Sequence, residues 1–193
     1  MDPSAGSTGT ASVKFPVRIT AICFGASLRP RSDEGSVTTI GDGGVVLLPG
    51  EAKAVELAGA IVRTLHAPGA GDDGAFSLVE TEESSEGFGP PLHVHRDAAE
   101  SFYVIEGEYL MHIDGHDFRC PAGSFVHVPR GMPHTFRGAL GSRKLNLYTP
   151  AAMVGYFEEL AEAIKGGVDE EGLSEIAERY SMTVLGPAPE GYL

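Results

Sequence analysis

His93 and His95 are separated by one residue in Pro91-Leu92-His93-Val94-His95-Arg96. On a β-strand, residues i and i+2 project from the same face, so this pair can aim two imidazoles at one point. Imidazole is the commonest neutral metal ligand, and a carboxylate offsets part of a dication's charge. Glu100 follows five residues after His95. A turn over residues 96–99 would let the next strand bring it back beside the two histidines. Alone, His-x-His says little, because two histidines on a strand are as often incidental as ligating. The surrounding elements carry the rest of the reading.

Those elements read as strands and turns. The chain has 193 residues, of which 26 are glycine and 13 proline, a composition that favours short strands over long helices. Apolar or alternating runs at residues 45–48, 61–65, 75–80, 101–106, 108–113, 117–119, 124–128, 135–137 and 144–148 are each closed by turn residues. Asp114-Gly115 is a hairpin signal between two of them. Many short strands with regular punctuation predict a sandwich or barrel rather than a βαβ fold. After Pro150 the period changes. Met153, Tyr156, Phe157, Leu160, Ala161 and Ile164 recur at helical spacing until Gly166-Gly167, and a second helix is predicted over 169–180. Both stripes read as a helical cap packed on the barrel.

The frame around the histidines has a wider pattern. Gly87, His93, His95, Glu100 and Gly107 are spaced as a glycine, five residues, His-x-His, four residues, Glu, six residues and a glycine. Gly123, Pro129, Gly131 and His134 follow as a glycine, five residues, Pro-x-Gly, two residues and a histidine. In these two segments the chain resembles the cupin family. Its two motifs are matched in order, except that Gly138 stands where the second motif has Asn. That Asn is not a metal ligand, so its absence bears on subfamily rather than on the metal. The motifs cover residues 87–138, and the strand pattern extends over about 37–150.

The resemblance implies an all-β cupin jelly-roll β-barrel with a short C-terminal α-helical extension. It divides the chain into an N-terminal tail with a candidate edge strand (1–36), the barrel (37–150) and the extension (151–193). It makes His134 the third imidazole of a site formed by His93, His95, Glu100 and His134, holding one divalent ion: Fe, Ni, Mn, Cu or Zn. Open coordination positions would make such a site catalytic. By strand parity Phe102 shares a face with Glu100, and Phe136 with His134. Both are candidate substrate-binding walls, against the alternative that they are ordinary core. The overall plan is similar to quercetinase-like single-domain cupins. The implied activity is a dioxygenase acting on a small phenolic or enolic compound, with dioxygen as co-substrate and Glu100 both ligating and accepting the substrate proton. Two alternatives stand beside it. One is an isomerase, epimerase, lyase or decarboxylase using the metal as a Lewis acid. The other is a non-catalytic binding module for a small molecule. Relatives usually form homodimers, and residues 13–26 are a candidate contact.

Composition bounds the remaining classes. Hydrophobic residues make up 42%, enough for a core. A formal charge of −13 argues against nucleic acid, which needs a basic surface. No apolar run approaches the ~20 residues that cross a bilayer. The apolar stretch 19–26 after Lys14 and Arg18 only loosely mimics a signal sequence. Two cysteines, Cys23 and Cys120, do not make a disulfide framework, so a reduced cytoplasmic setting is expected and Cys120 reads as a buried thiol. His66 reads as a loop residue, His112 and His116 as exposed residues flanking the hairpin turn, and His127 as facing either side of its strand, while Asp72-Asp73 and Glu82-Glu83 read as solvated loops.

Overall fold

Residues 77–83 alternate strictly, with Ser77, Val79, Thr81 and Glu83 buried and the residues between them half-buried. This is the period-two signature of a strand with one face on a core. The computed structural model describes residues 38–40, 44–69, 72–87 and 89–189, all within the unit Glu34–Leu193. The expectations for residues 1–36 and for Cys23 lie outside the described residues.

In chain order the strands are β1 (Thr38–Ile40), β2 (Gly44–Val46), β3 (Lys53–Leu57), β4 (Ala60–His66), β5 (Ser77–Glu83), β6 (Leu92–His95) and β7 (Ala99–Glu106). They continue as β8 (Glu108–Ile113), β9 (His116–Pro121), β10 (Phe125–Val128), β11 (His134–Gly138) and β12 (Arg143–Thr149). Then come helix α1 (Tyr156–Lys165), helix α2 (Glu170–Arg179) and a last strand, β13 (Met182–Gly186). Apart from the β1–β2 hairpin, two antiparallel sheets form, in the orders β10-β7-β12-β5-β4-β3 and β13-β6-β11-β8-β9. Most neighbours in these sheets are distant in sequence, which is the crossed connectivity of a jelly roll. The all-β expectation holds.

Two apolar clusters fill the space between the sheets. One gathers Phe102, Val104, Tyr109, Met111, Cys120 and Val128. The other joins Val62, Val79 and Tyr148 of the barrel to Met153, Tyr156, Ile176, Ala177 and Met182 of the C-terminal segment. The helical cap therefore packs on the barrel, as its apolar stripes predict. Helix α2 is started by Asp169, whose side chain accepts from the backbone N–H of Gly172 at 3.0 Å.

The C-terminal segment does more than the sequence reading expected. After α2 the chain turns back and β13 pairs antiparallel with β6, placing Met182 opposite His95 and Val184 opposite His93. The strand that carries two of the histidines is thus flanked on both sides, by β11 and by β13. Glu83 also departs from expectation. It belongs to β5 rather than to a solvated loop, and is 1% exposed.

Gly107 illustrates why a motif glycine is needed. It links β7 to β8 at φ +72°, and a Cβ there would lie 2.1 Å from the hydroxyl oxygen of buried Ser142. A side chain would be strained by conformation and blocked by contact.

Candidate metal centre

Strand β6 opens on Pro90-Pro91, and its four residues alternate so that His93 and His95 turn inward, 3% and 4% exposed. β7 returns Glu100 at 2% exposure. β11 places His134 directly across the ladder from His93. The Pro129–Gly131 turn that leads to His134 is tied to the histidine strand, because the Gly131 N–H donates to the His95 carbonyl at 2.7 Å. One ligand atom from each of His93, His95, Glu100 and His134 lies within 4.8 Å of the others. The structure thus brings together all four residues that the resemblance singled out.

Their hydrogen bonds define which atoms are free. Nδ1 of His93 is 2.9 Å from the Pro91 carbonyl, and Nδ1 of His134 is 3.0 Å from the Met132 carbonyl. Each Nδ1 must be protonated to donate there, which leaves the Nε2 lone pairs facing inward. Glu100 Oε2 is 3.0 Å from Nε2 of both His95 and His134. Lone pairs and a carboxylate oxygen at that range repel unless a positive charge sits among them. His95 Nδ1 is buried without a hydrogen-bond partner. Three imidazoles, one of them with an orphaned buried nitrogen, and one carboxylate fit a divalent ion of the borderline type.

Electrostatics agree with this donor set. Burial, and then the neighbouring His134, push His93 down to about 3, so its imidazole is neutral at physiological pH. Burial would raise Glu100, but the facing His134 and His95 rings outweigh it and hold the carboxyl well below the usual carboxylate range. Its second oxygen, Oε1, accepts from the Asn146 amide at 2.7 Å. Tyr148 stands opposite Glu100 on the β7–β12 ladder and edge-on to the His95 ring at 5.5 Å. Burial, and then the Glu100 charge, push its phenol well above the ordinary range. Asn146 and Tyr148 were not singled out from sequence. Their signal was β12 parity: residues 144, 146 and 148 turn inward together.

The cluster opens on a cavity of about 670 Å³. Phe136 lines it; Phe102 does not. Phe102 is 1% exposed and sits behind the site, its ring 6.2 Å from that of His134 and 5.7 Å from that of Phe136. Of the two aromatics expected as walls, one is wall and the other core.

The remaining histidines stay outside. His116 is exposed as expected, and His127, whose side the sequence left open, is exposed too. His127 Nδ1 meets the Ser101 hydroxyl at 2.8 Å on the outer face of the sheet. His112 differs from expectation: its side chain is only 12% exposed and pairs with Asp117 at 2.6 Å. His66 faces Asp72 at 3.4 Å. Cys120 is a buried free thiol.

A family model described as a cupin domain matches residues 81–148. Quercetin 2,3-dioxygenase of Bacillus subtilis (strain 168) is 30% identical over 100 residues, covering 52% of this chain and 29% of that protein. Acireductone dioxygenase of Gluconacetobacter diazotrophicus is 39% identical over 51 residues, covering 25% and 28%. The chain thus spans less than a third of the length of these curated relatives. Among solved structures, an RmlC-like cupin from Shewanella frigidimarina aligns with a TM-score of 0.48 at 21% identity, covering 54% of this chain and 88% of the other. KdgF from Halomonas sp. aligns with a TM-score of 0.48 at 16% identity, covering 53% and 90%.

Proposed function

We propose that this chain, which belongs to the cupin superfamily, is a metal-dependent dioxygenase acting on a small phenolic or enolic compound. The observation that carries the proposal is the convergence of Glu100 Oε2 with Nε2 of His95 and His134, each 3.0 Å away, at one end of an accessible cavity. Similarity to two dioxygenases of otherwise different name supports the same class.

His93, His95, Glu100 and His134 would hold the ion. A bound divalent metal supplies Lewis acidity to an oxygen ligand and, if redox-active, access to dioxygen. The chain's own residues do the rest. Glu100 is ionised and lies within reach of an acidic hydroxyl brought to the cluster, so it can accept that proton. Asn146 fixes the carboxylate by holding Oε1, which leaves Oε2 aimed at the histidines. The carbonyls of Pro91 and Met132 lock the tautomers of His93 and His134. Phe136, Met153 and Phe157 line the cavity with apolar carbon and limit water around the reacting end.

The test uses protein purified without an affinity tag. Elemental analysis is expected to find one equivalent of a redox-active metal, and oxygen uptake is expected when quercetin is added under air. One equivalent of metal with no oxygen uptake across a panel of flavonols, catechols and enediols would overturn the dioxygenase reading.

A further inference from the structure

We infer that the C-terminal segment builds a second recognition subsite in the cavity, made for the uncharged apolar arm of a ligand whose oxygen-bearing head lies at the histidine–glutamate cluster. The inference rests on the proposed function only in taking that cluster as the reacting end.

The first observation is where the wall comes from. The barrel supplies Leu57, Val62 and Phe136. The segment beyond Pro150 supplies Phe157, Leu160 and Leu173, together with Met182 on the strand paired to His95. Phe157 and Leu160 lie on the α1 face packed against the barrel-and-cap core, yet both border open space. A helix whose only task was to seal the barrel would bury this stripe completely. Here it roofs a cavity of about 670 Å³, a volume in the range of pockets that take drug-sized ligands. A bare chelating fragment of a few atoms would leave most of that space to water against carbon.

The second observation is charge. Among the described residues the cavity is lined by two carboxylates, Glu100 and Glu170, and by no lysine or arginine. The cations nearby are committed elsewhere. Lys53 pairs with Glu158 at 3.1 Å, largely in solvent. Lys144 is sealed behind Phe136 and pairs with Glu83 at 3.5 Å. A carboxylate or phosphate on the arm would therefore be desolvated without a counter-charge, a cost that a neutral aromatic or alkyl arm avoids. The cap thus selects against anionic arms, and the metal end alone handles the polar head.

The test separates this subsite from the reaction. The full chain is stripped of metal by chelation, so that the cluster cannot hold an anion, and binds 2-naphthalenemethanol or 2-naphthoate at pH 8. The neutral probe is expected to bind at least about 10-fold more tightly. Leu160→Lys is expected to reverse that order, while the metal content of the reconstituted variant stays at the wild-type level. Phe157→Ala, a milder change at a half-buried position, is expected to weaken the neutral probe by about 10-fold and leave the naphthoate unchanged. Equal binding of the two probes by wild type, or an unchanged ratio in both variants, overturns the subsite. Loss of the preference in a protein that consumes oxygen retires the subsite and keeps the dioxygenase. A preserved preference in a protein that consumes none retires the reaction and keeps the subsite.

Discussion

The barrel contains two buried polar clusters, and they are built in opposite ways. At the cavity, His93, His95, Glu100 and His134 bring one ligand atom each to a shared point, with the outer atoms of His93, His134 and Glu100 satisfied by Pro91, Met132 and Asn146 and His95 Nδ1 left without a partner. Further along β12, Lys144 and Glu83 are both fully buried and face each other at 3.5 Å. Lys144 Nζ lies 3.9 Å from the centroid of the Phe136 ring and 4.7 Å from that of Tyr109, so carbon closes the remaining directions. Neither Lys144 Nζ nor the Glu83 oxygens have a hydrogen-bond partner in good geometry. The first cluster is excess negative and lone-pair character awaiting a cation. The second is a cation and an anion that neutralise each other. Burial of charge alone therefore does not distinguish the two clusters; only the first gathers its ligand atoms beside open space.

The second cluster also explains the one motif position that departs from the family. A Cβ at Gly138 would lie 2.3 Å from Glu83 Cγ and 2.8 Å from Tyr109 Cε1. Any side chain there competes with the ion pair for the same volume.

Four experiments would break or sharpen this contrast. The largest effect is expected at the first cluster. His134→Ala and His93→Ala should each lower metal affinity by more than about 100-fold, beyond the 10–100-fold that outer partners cost. Elemental analysis after dialysis should then find no metal, and full occupancy in either variant would sink the assignment.

Lys144→Met should leave metal content unchanged and destabilise the fold by about 3–5 kcal/mol in urea, because it strands a buried carboxylate. Adding Glu83→Leu should recover most of that loss. A single variant as stable as wild type would mean the pair is not sealed.

Asn146→Ala belongs to the first cluster and should behave accordingly. It removes the hydrogen bond to Glu100 Oε1, so metal affinity should fall by about 10–100-fold, read by competition with a chelating dye. An effect on folding alone would assign Asn146 to structure.

The smallest effect is a pH slope belonging to the second cluster. Burial, opposed by Glu83 and Glu100, holds Lys144 down to about 8 against an ordinary 10.5. Between those values the unfolded chain keeps a proton that the folded chain has released. Its contribution to stability therefore rises with pH, by at most about 1.4 kcal/mol per unit. Glu83, raised by burial against the pull of Lys144, contributes in the opposite direction on the acid side. The difference in unfolding free energy between wild type and Lys144→Met should slope upward from pH 8 to 10. A flat difference would remove Lys144 from the ionisable interior.

By itself the sequence determined how the first three candidate ligands can meet, because strand parity and turn length are local. His93 and His95 share a face at spacing two and a short turn returns Glu100, whereas His134 joined them through the resemblance to the second cupin motif. Glycine and proline punctuation likewise determined that short strands would form, and the 3.6-residue stripes determined the two helices. Only the tertiary structure decided which face of each remaining strand turns inward. In β12, hydropathy would send Leu145 and Leu147 to the core, yet Lys144, Asn146 and Tyr148 are buried and the leucines face outward. The pairing of β12 between β7 and β5 imposes that register, and the polar residues are tolerated because Glu83 and Glu100 meet them from those two neighbouring strands. The same holds for Glu83, which reads as solvated beside Glu82 and Ser84 until β5 carries it inside. It holds for β13 as well, five residues whose place beside β6 depends on two helices folding back first. Local periods specify what an element is; long-range pairing specifies what each of its faces meets.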